Sequence, residues 1–503
     1  MKRTAAHRHR LYPPFILFSW IWGWVIFADA LYSVPLANLS ASAQTIFLIV
    51  SNIFFKLNAT NVEFLAVLIL GCIIIVNPKH KMLFYVASML FLVKQILIMP
   101  ALSNHRIIVT FFSLSLVLTY FYLAIKEQTI YVSSKRFYET SAPIGRCLLI
   151  IMYVFGIFHK LNSAFLDPSV SCAVALWQNS PLPQSLLMAH WAHYCAIYGT
   201  FVIEGLCIVL LLGNSRMRYY GVLLGVSFHL FLGVNSFQFY GTFSLLSMAL
   251  HFLFLPDATL KRFTLRKWSF KPIWLYRTLS VFLVVLLFAL LLFLGCLSTS
   301  GNVHIVNLLF MVYGIFLLGF VAHYGYELQS EKKPIVSPLL LLNTLSVLFF
   351  LNCISPYVGL KTGQSIAMFS NLTVEEGKSN HLIIRKPFYL FNYLNEYVTI
   401  IDSNDPFLKD MATYHLLLQK VFFDNYVISI PSKSVTFQFQ GKTHSYQTIN
   451  EYLKEAQKHS WFENKFIVSY EYDKRIPRTC ALIDQVIMQP YKPIIEVNHG
   501  YTK

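Results

Sequence analysis

His159 and Lys160 close an apolar run, YVFGIFHKLN from Tyr153, at a place where hydrocarbon gives way to water. A charged side chain there is either an anchor reaching for the interface or a group held for chemistry. The chemistry would be acid–base, because partial desolvation disfavours an ammonium ion and suits a lysine to work as a general base. Other polar residues share its end of the apolar runs: Asn104 and His105, Asn235 and Ser236, Asn302 and His304. Taken singly, each reads most simply as an interfacial residue. Together they make a polar vestibule above an apolar bundle, a setting for a lipid-soluble reductant such as a quinone. His229 and Glu204 lie inside runs, where pairing within the bundle is the plain reading. No metal spacing, P-loop, GxSxG or HExxH is present, so no metal is expected.

The elements that must position these residues follow from composition. Of 503 residues, 56% are hydrophobic and 13% charged, and the mean hydropathy is +0.56. Eleven apolar runs fall at 14–32, 62–77, 82–99, 106–124, 145–161, 195–213, 219–235, 240–255, 276–297, 303–322 and 337–355. A helix of about 20 such residues crosses a hydrocarbon core. The expected fold is an all-α polytopic membrane bundle of about eleven helices with a small C-terminal α+β extramembrane domain. The divisions are 1–260, about eight helices; 261–356, about three more; and 357–503 outside the membrane. A shorter apolar piece from Ala43 to Phe55 reads as interfacial or re-entrant. The first run, from Phe15, contains three Trp and reads as a retained span rather than a signal peptide.

The net charge of +17 would suggest nucleic acid in a soluble protein, but the basic residues cluster in alternate loops. With the N-terminus inside, the cytoplasmic segments hold 18 Lys and Arg, and the opposite short loops hold only Lys56. The positive-inside rule therefore puts Asn104, His105 and Lys160 on the extracytoplasmic face, with everything after Tyr357, and argues against a nucleic-acid partner. The composition favours a bacterial inner membrane, with the endoplasmic reticulum as the alternative. Cys172, Cys195, Cys353 and Cys480 are the cysteines able to reach an oxidising compartment. In the last region Val435–Phe439 alternates like a strand, Gly441 marks a turn, Thr448 and Glu451 suggest a capping box, and Phe466 to Tyr472 alternates again.

The opening stretch resembles the Y-F-x-A-G-x-x-K-L-[DN] segment of the vitamin K-dependent gamma-glutamyl carboxylases and of related bacterial membrane proteins with an HTTM domain. SNHRI, Ser103 to Ile107, is similar to the family's Asn-His signature, and FHLFLGVNSFQFYGTFS, Phe228 to Ser244, to a third motif. The three occur in family order over roughly residues 10 to 260. Ile354 to Leu382 resembles a block that follows the membrane region in bacterial members. The resemblance implies that Lys160 deprotonates reduced vitamin K or menaquinol, and that O2 then converts the quinol into a base strong enough to take a glutamate γ-proton. CO2 adds to the carbanion. By the same carry-over His105, beside Asn104, serves the carbanion half, and His159, His229 and Asn235 contact quinone or substrate. The implied partners are the bilayer, a quinol and a Glu-containing peptide or protein. The sequence departs from the pattern at His159, which replaces the usual lysine, and in its small outer domain. Other quinone-linked oxidation without carboxylation, and a non-enzymatic transporter or scaffold, stay open as alternatives.

Overall fold

The computed structural model describes residues 12–33, 59–260, 310–322 and 333–472, with short interruptions that include 234–239. Ala43–Phe55 and the run at 276–297 lie outside the described residues, as do Asn235, Asn302, His304 and Cys480.

The helical part runs α1 (Pro13–Ser33), α2 (Ala59–Val76), α3 (Lys81–Leu97), α4 (Asn104–Glu127), α5 (Ser134–Lys160), α6 (Ser163–Leu166), α7 (Cys172–Gln178), α8 (Gln184–Leu187), α9 (His190–Leu212), α10 (Ser215–Gly233) and α11 (Tyr240–Phe252). It continues with α12 (Tyr313–Ala322) and α13 (Leu340–Ile354). Among the described residues, α1, α4, α5, α9 and α13 with the 3-10 turn that extends it to Val358 are the five long and apolar enough to cross a membrane; α12 and parts of α2 and α11 are shorter apolar helices. The chain is a mostly helical membrane protein in this coarse sense.

Which helices are central follows from how far round the apolar surface extends. The span in α1 is apolar on every side and 94% buried, with Phe15, Trp20 and Trp22 enclosed by neighbouring helices. Gly71 lets α2 close on it: a Cβ there would stand 3.0 Å from the Phe27 backbone. The span in α9 is only 22% buried. Its Trp191, Tyr194, Tyr198, Val202, Leu206, Val209 and Leu212 form one exposed stripe at helical spacing. An apolar stripe of that length is a liability in water and an ordinary surface in lipid. The aromatic residues gather at its first turns, as interfacial belts do.

One boundary differs from the sequence reading. The apolar run beginning at 145 is the second part of a longer helix, α5, which starts at Ser134 because the Ser133 side chain caps the Arg136 amide. Hydropathy sees only the apolar portion of a helix that continues past it.

After α13 the chain makes a 3-10 turn, Ser355–Val358, and reverses at Gly359, whose φ is +78°. A Cβ at Gly359 would strike the Phe391 carbonyl. The stretch 360–392 then lies over the ends of α5 and α6. Asn162 is the knot: its Nδ2 donates to His159 O (2.8 Å) and Ser370 O (2.6 Å), while its Oδ1 accepts from Phe165 N (2.8 Å).

Beyond it stands a small α+β unit, as expected. Strands β1 (Tyr397–Ser403), β2 (Leu416–Gln419), β3 (Val435–Phe439), β4 (Lys442–Tyr446) and β5 (Tyr470–Tyr472) form an antiparallel sheet in the order β4-β3-β1-β2-β5. Gln440 and Gly441, with φ of 50° and 76°, make the two-residue turn between β3 and β4. Four short helices belong to this unit: α14 (Pro406–Thr413), α15 (Lys420–Ile428), α16 (Ile449–Leu453) and α17 (Trp461–Phe466). The capping box at α16 does not form. Thr448 makes no side-chain cap, and its hydroxyl turns to Glu451 Oε1 at 3.4 Å.

Candidate active site

Lys160 is the last residue of α5, and its Nζ donates to Glu204 Oε1 of α9 at 2.5 Å. Both side chains are nearly buried, 11% and 10% exposed. Glu204 fits because Gly156, one turn before Lys160, has no side chain; a Cβ there would sit 3.4 Å from Glu204 Oε2. Glu204 lies about 21 Å from the first residue of α9 and about 12 Å from the last, at 1.5 Å per residue. α5 therefore ends beside the middle of α9, and the short helices α6 to α8 and the stretch 360–392 continue beyond it.

Four of the residues singled out from sequence meet at one cavity of about 90 Å³: Asn104, His105, Lys160 and His229 all line it. Asn104 opens α4, and its Oδ1 accepts from the Ile366 amide at 2.8 Å, tying the covering stretch to the rim. His105 Nε2 lies 3.0 Å from Thr242 Oγ1 on α11. His229 Nε2 lies 2.9 Å from the Tyr153 hydroxyl. The remaining wall is largely apolar, with Phe165, Phe228, Phe243 and Phe369 supplying aromatic faces. Lys160 Nζ is 5.9 Å from the centre of the Phe165 ring, within cation–π range. Two polar atoms on the wall are buried and have no hydrogen-bond partner among the described residues: Glu204 Oε2 and His229 Nδ1.

His159 does not join this group. It is completely buried, its Nε2 donating to Ser365 O at 3.0 Å and its Nδ1 accepting from the Tyr357 hydroxyl at 2.8 Å. A turn of about 100° from Lys160 carries it onto the face covered by residues 357–365. It does not line the cavity, and its two hydrogen bonds tie the end of α5 to residues 357–365.

Sequence reasoning missed several members. Tyr153 stands seven residues before Lys160, two helical turns and hence the same face, a spacing that would have exposed it. Ile366 and Phe369 belong to the covering stretch, whose described residues include four non-glycine residues at positive φ: Gln364, Ile366, Phe369 and Asn371. No sequence pattern announces such a path. Asp29 of α1 is a second carboxylate buried within an apolar helix, as Glu204 is. Asp29 Oδ2 accepts from Lys94 Nζ (2.6 Å) and Gln95 Nε2 (3.1 Å), and its Oδ1 from Arg106 Nε (2.8 Å), which braces α1 to α3 and α4 beside His105.

Cys172, at the start of α7, is disulfide-bonded, while Cys72, Cys147, Cys195, Cys207 and Cys353 are free thiols. Outside the spans, burial pushes the Lys361 ammonium down to about 8, against a smaller opposing effect of Cys353; its Nζ is 3.3 Å from Gln364 Oε1. Among the described residues no group of three or more His, Cys, Asp or Glu could hold a metal ion.

No family model, curated protein or solved structure matches this chain. Fold and site together define a helical membrane protein whose buried Lys–Glu pair opens on an aromatic cavity.

Proposed function

We propose that this chain is a membrane-embedded, quinol-dependent enzyme of the gamma-glutamyl carboxylase type. In this reading about eleven helices cross the membrane, the N-terminus is cytoplasmic, and the cavity and C-terminal unit belong to the extracytoplasmic side of a bacterial inner membrane. The observation that carries it is the meeting of Asn104, His105, Lys160 and His229, drawn from three separate sequence motifs, at one aromatic-walled cavity. The disulfide at Cys172, in the segment just after Lys160, supports an oxidising compartment on that face.

The donor set suits a reduced quinone. Aromatic faces accept a flat ring, and the unpartnered Glu204 Oε2 and His229 Nδ1 call for ligand hydroxyl groups. At about 90 Å³ the cavity is smaller than the roughly 150 Å³ that takes up a benzene ring in an engineered site. Entry of a quinol ring thus requires the rim side chains of Ile366 and Phe369 to draw back. A bound quinol supplies, with O2, the strong base needed to remove an unactivated γ-proton, and CO2 is the third reactant. The chain's own part is to hold and move protons. Lys160, expected as the base, already donates to Glu204 Oε1, so in this reading the hydroxyl proton goes to Glu204 Oε2 and Lys160 Nζ balances the anion that results. Asn104 and His105 fix the rim, and the phenylalanines exclude water.

The test is purified protein in nanodiscs with menaquinol, O2, labelled bicarbonate and a Glu-containing peptide. Label entering the peptide, lost in Lys160→Ala, is the expected result. Quinol epoxidation without label would replace carboxylation by another quinol oxidation, and neither activity in well-folded protein would refute both. The buried Asp29–Lys94–Arg106 and Lys160–Glu204 networks favour one second reading, since charges at such depth also serve ion-coupled transport. Charge movement in proteoliposomes that Glu204→Gln abolishes, in the absence of any quinol, would establish that reading instead.

A further inference from the structure

Tyr153 sits on the cavity wall, fully enclosed, between two histidines. Its hydroxyl is 2.9 Å from His229 Nε2 and 3.1 Å from His251 Nε2. On the far side, His251 Nδ1 is 2.7 Å from the Ser247 carbonyl oxygen. These contacts determine where the protons are. A carbonyl oxygen only accepts, so His251 Nδ1 carries a proton, and in a neutral ring its Nε2 is then an acceptor. Both imidazoles are buried, and neither is hydrogen-bonded to a carboxylate among the described residues, so a charged ring is disfavoured.

The single proton of Tyr153 must therefore go to His251 Nε2. The phenol oxygen, having donated, accepts from His229, whose proton is thereby held on Nε2. That leaves His229 Nδ1 as a bare lone pair, and it is the ring atom without a partner. Cys207 also stands against the phenol, but its sulfur is a weak acceptor beside the His251 ring nitrogen, so the phenol proton stays with His251.

We propose that Tyr153 and His251 are positioning residues that lock His229 in the tautomer protonated on Nε2, so that this ring offers the cavity's ligand an acceptor and the site selects a hydroxyl-bearing ring over the same ring with acceptors only. The inference rests on the quinol reading of the cavity and adds the two residues that set the hydrogen-bond polarity of its wall. A free His229 could turn over its tautomer and donate to a quinone oxygen equally well. The chain from Ser247 through His251 and Tyr153 removes that option.

The test uses the full chain in nanodiscs and three probes of one ring system: 1,4-dihydroxynaphthalene under anaerobic reducing conditions, 1,4-dimethoxynaphthalene and 1,4-naphthoquinone. Binding, followed by quenching of tryptophan fluorescence, is compared in the wild type, Tyr153→Phe, His251→Phe and His251→Gln. The wild type is expected to favour the diol over the other two by roughly tenfold for the one directed hydrogen bond. In Tyr153→Phe and His251→Phe the preference should fall to about twofold or less while the affinity for dimethoxynaphthalene holds, because the apolar wall is intact. His251→Gln, whose amide oxygen can accept from the phenol, should restore part of the preference. Nitrogen-15 NMR of histidine-labelled wild type should show His229 with its proton on Nε2, a measurement that needs no variant to fold.

Three results would overturn the inference: equal binding of diol and diether by the wild type, a preference unmoved in both phenylalanine variants, or a His229 proton on Nδ1. In each of these the cavity still binds the ring and the quinol reading stands. If the wild type binds none of the three probes, the quinol reading fails together with this one.

Discussion

The Lys160–Glu204 pair offers the sharpest prediction because its energetics depend on burial that the sequence does not show. With side chains 11% and 10% exposed and a 2.5 Å contact, neither charge has much water to fall back on if its partner is removed. Removing one member of such a pair costs about 3–5 kcal/mol, most of it the penalty of an uncompensated buried charge, whereas replacing both by apolar groups is near neutral or stabilising. Lys160→Met and Glu204→Leu should therefore each destabilise by about that amount, and the double variant should recover most of it. Lys135–Glu139 is the internal control: at 3.7 Å and 62% and 50% exposure, its loss should cost no more than about 0.5 kcal/mol. Unfolding in nanodiscs can be followed with a thiol-reactive dye, since the free thiols of Cys207 and Cys353 are completely buried and Cys195, already exposed, sets the baseline. If Lys160→Met costs no more than Lys135→Met, or if the double variant is as unstable as the two singles summed, the pair is not the buried unit described and its part in proton transfer falls with it.

Other expectations use the same protein. Asp29→Asn, which leaves Lys94 and Arg106 facing each other, should destabilise by about 3–5 kcal/mol and more than Lys94→Met does, read by the same dye. Lys361 binds fewer protons in the folded chain than in the unfolded one between about pH 8 and its ordinary value near 10.5, so stability should rise with pH across that window. Lys361→Met should flatten the rise, and a wild-type stability that falls over the same interval would contradict the burial of this ammonium. Asn162→Ala removes the bonds that join α5, α6 and the covering stretch; hydrogen exchange at residues 366–371 should quicken at least tenfold while β1 and β3 are unchanged.

Much of the architecture was legible before any coordinates. That apolar helices dominate the chain followed from hydropathy, because each apolar run satisfies its own backbone locally, although the ends of helices such as α5 did not. Strand β3 and the turn at Gly441 followed from alternation and the glycine, again within ten residues; its partner β4 did not. The covering stretch was not legible, because its left-handed residues and its hydrogen bonds to Asn104, Asn162 and His159 depend on partners about 200 or more positions away. Neither was the charge network of Asp29, whose position in an apolar helix says that it must be paired but not with what.

The sequence alone determined that His105 and Lys160 stand at the ends of apolar helices and His229 within one, since spacing along one chain is enough for that. Only the tertiary structure decided that Lys160 faces Glu204, that His159 faces away, and that Tyr153 binds two histidines into one proton-ordered chain. Helical periodicity places a residue on a face, but the packing of α5 against α9, α10 and α11 determines which atoms that face meets.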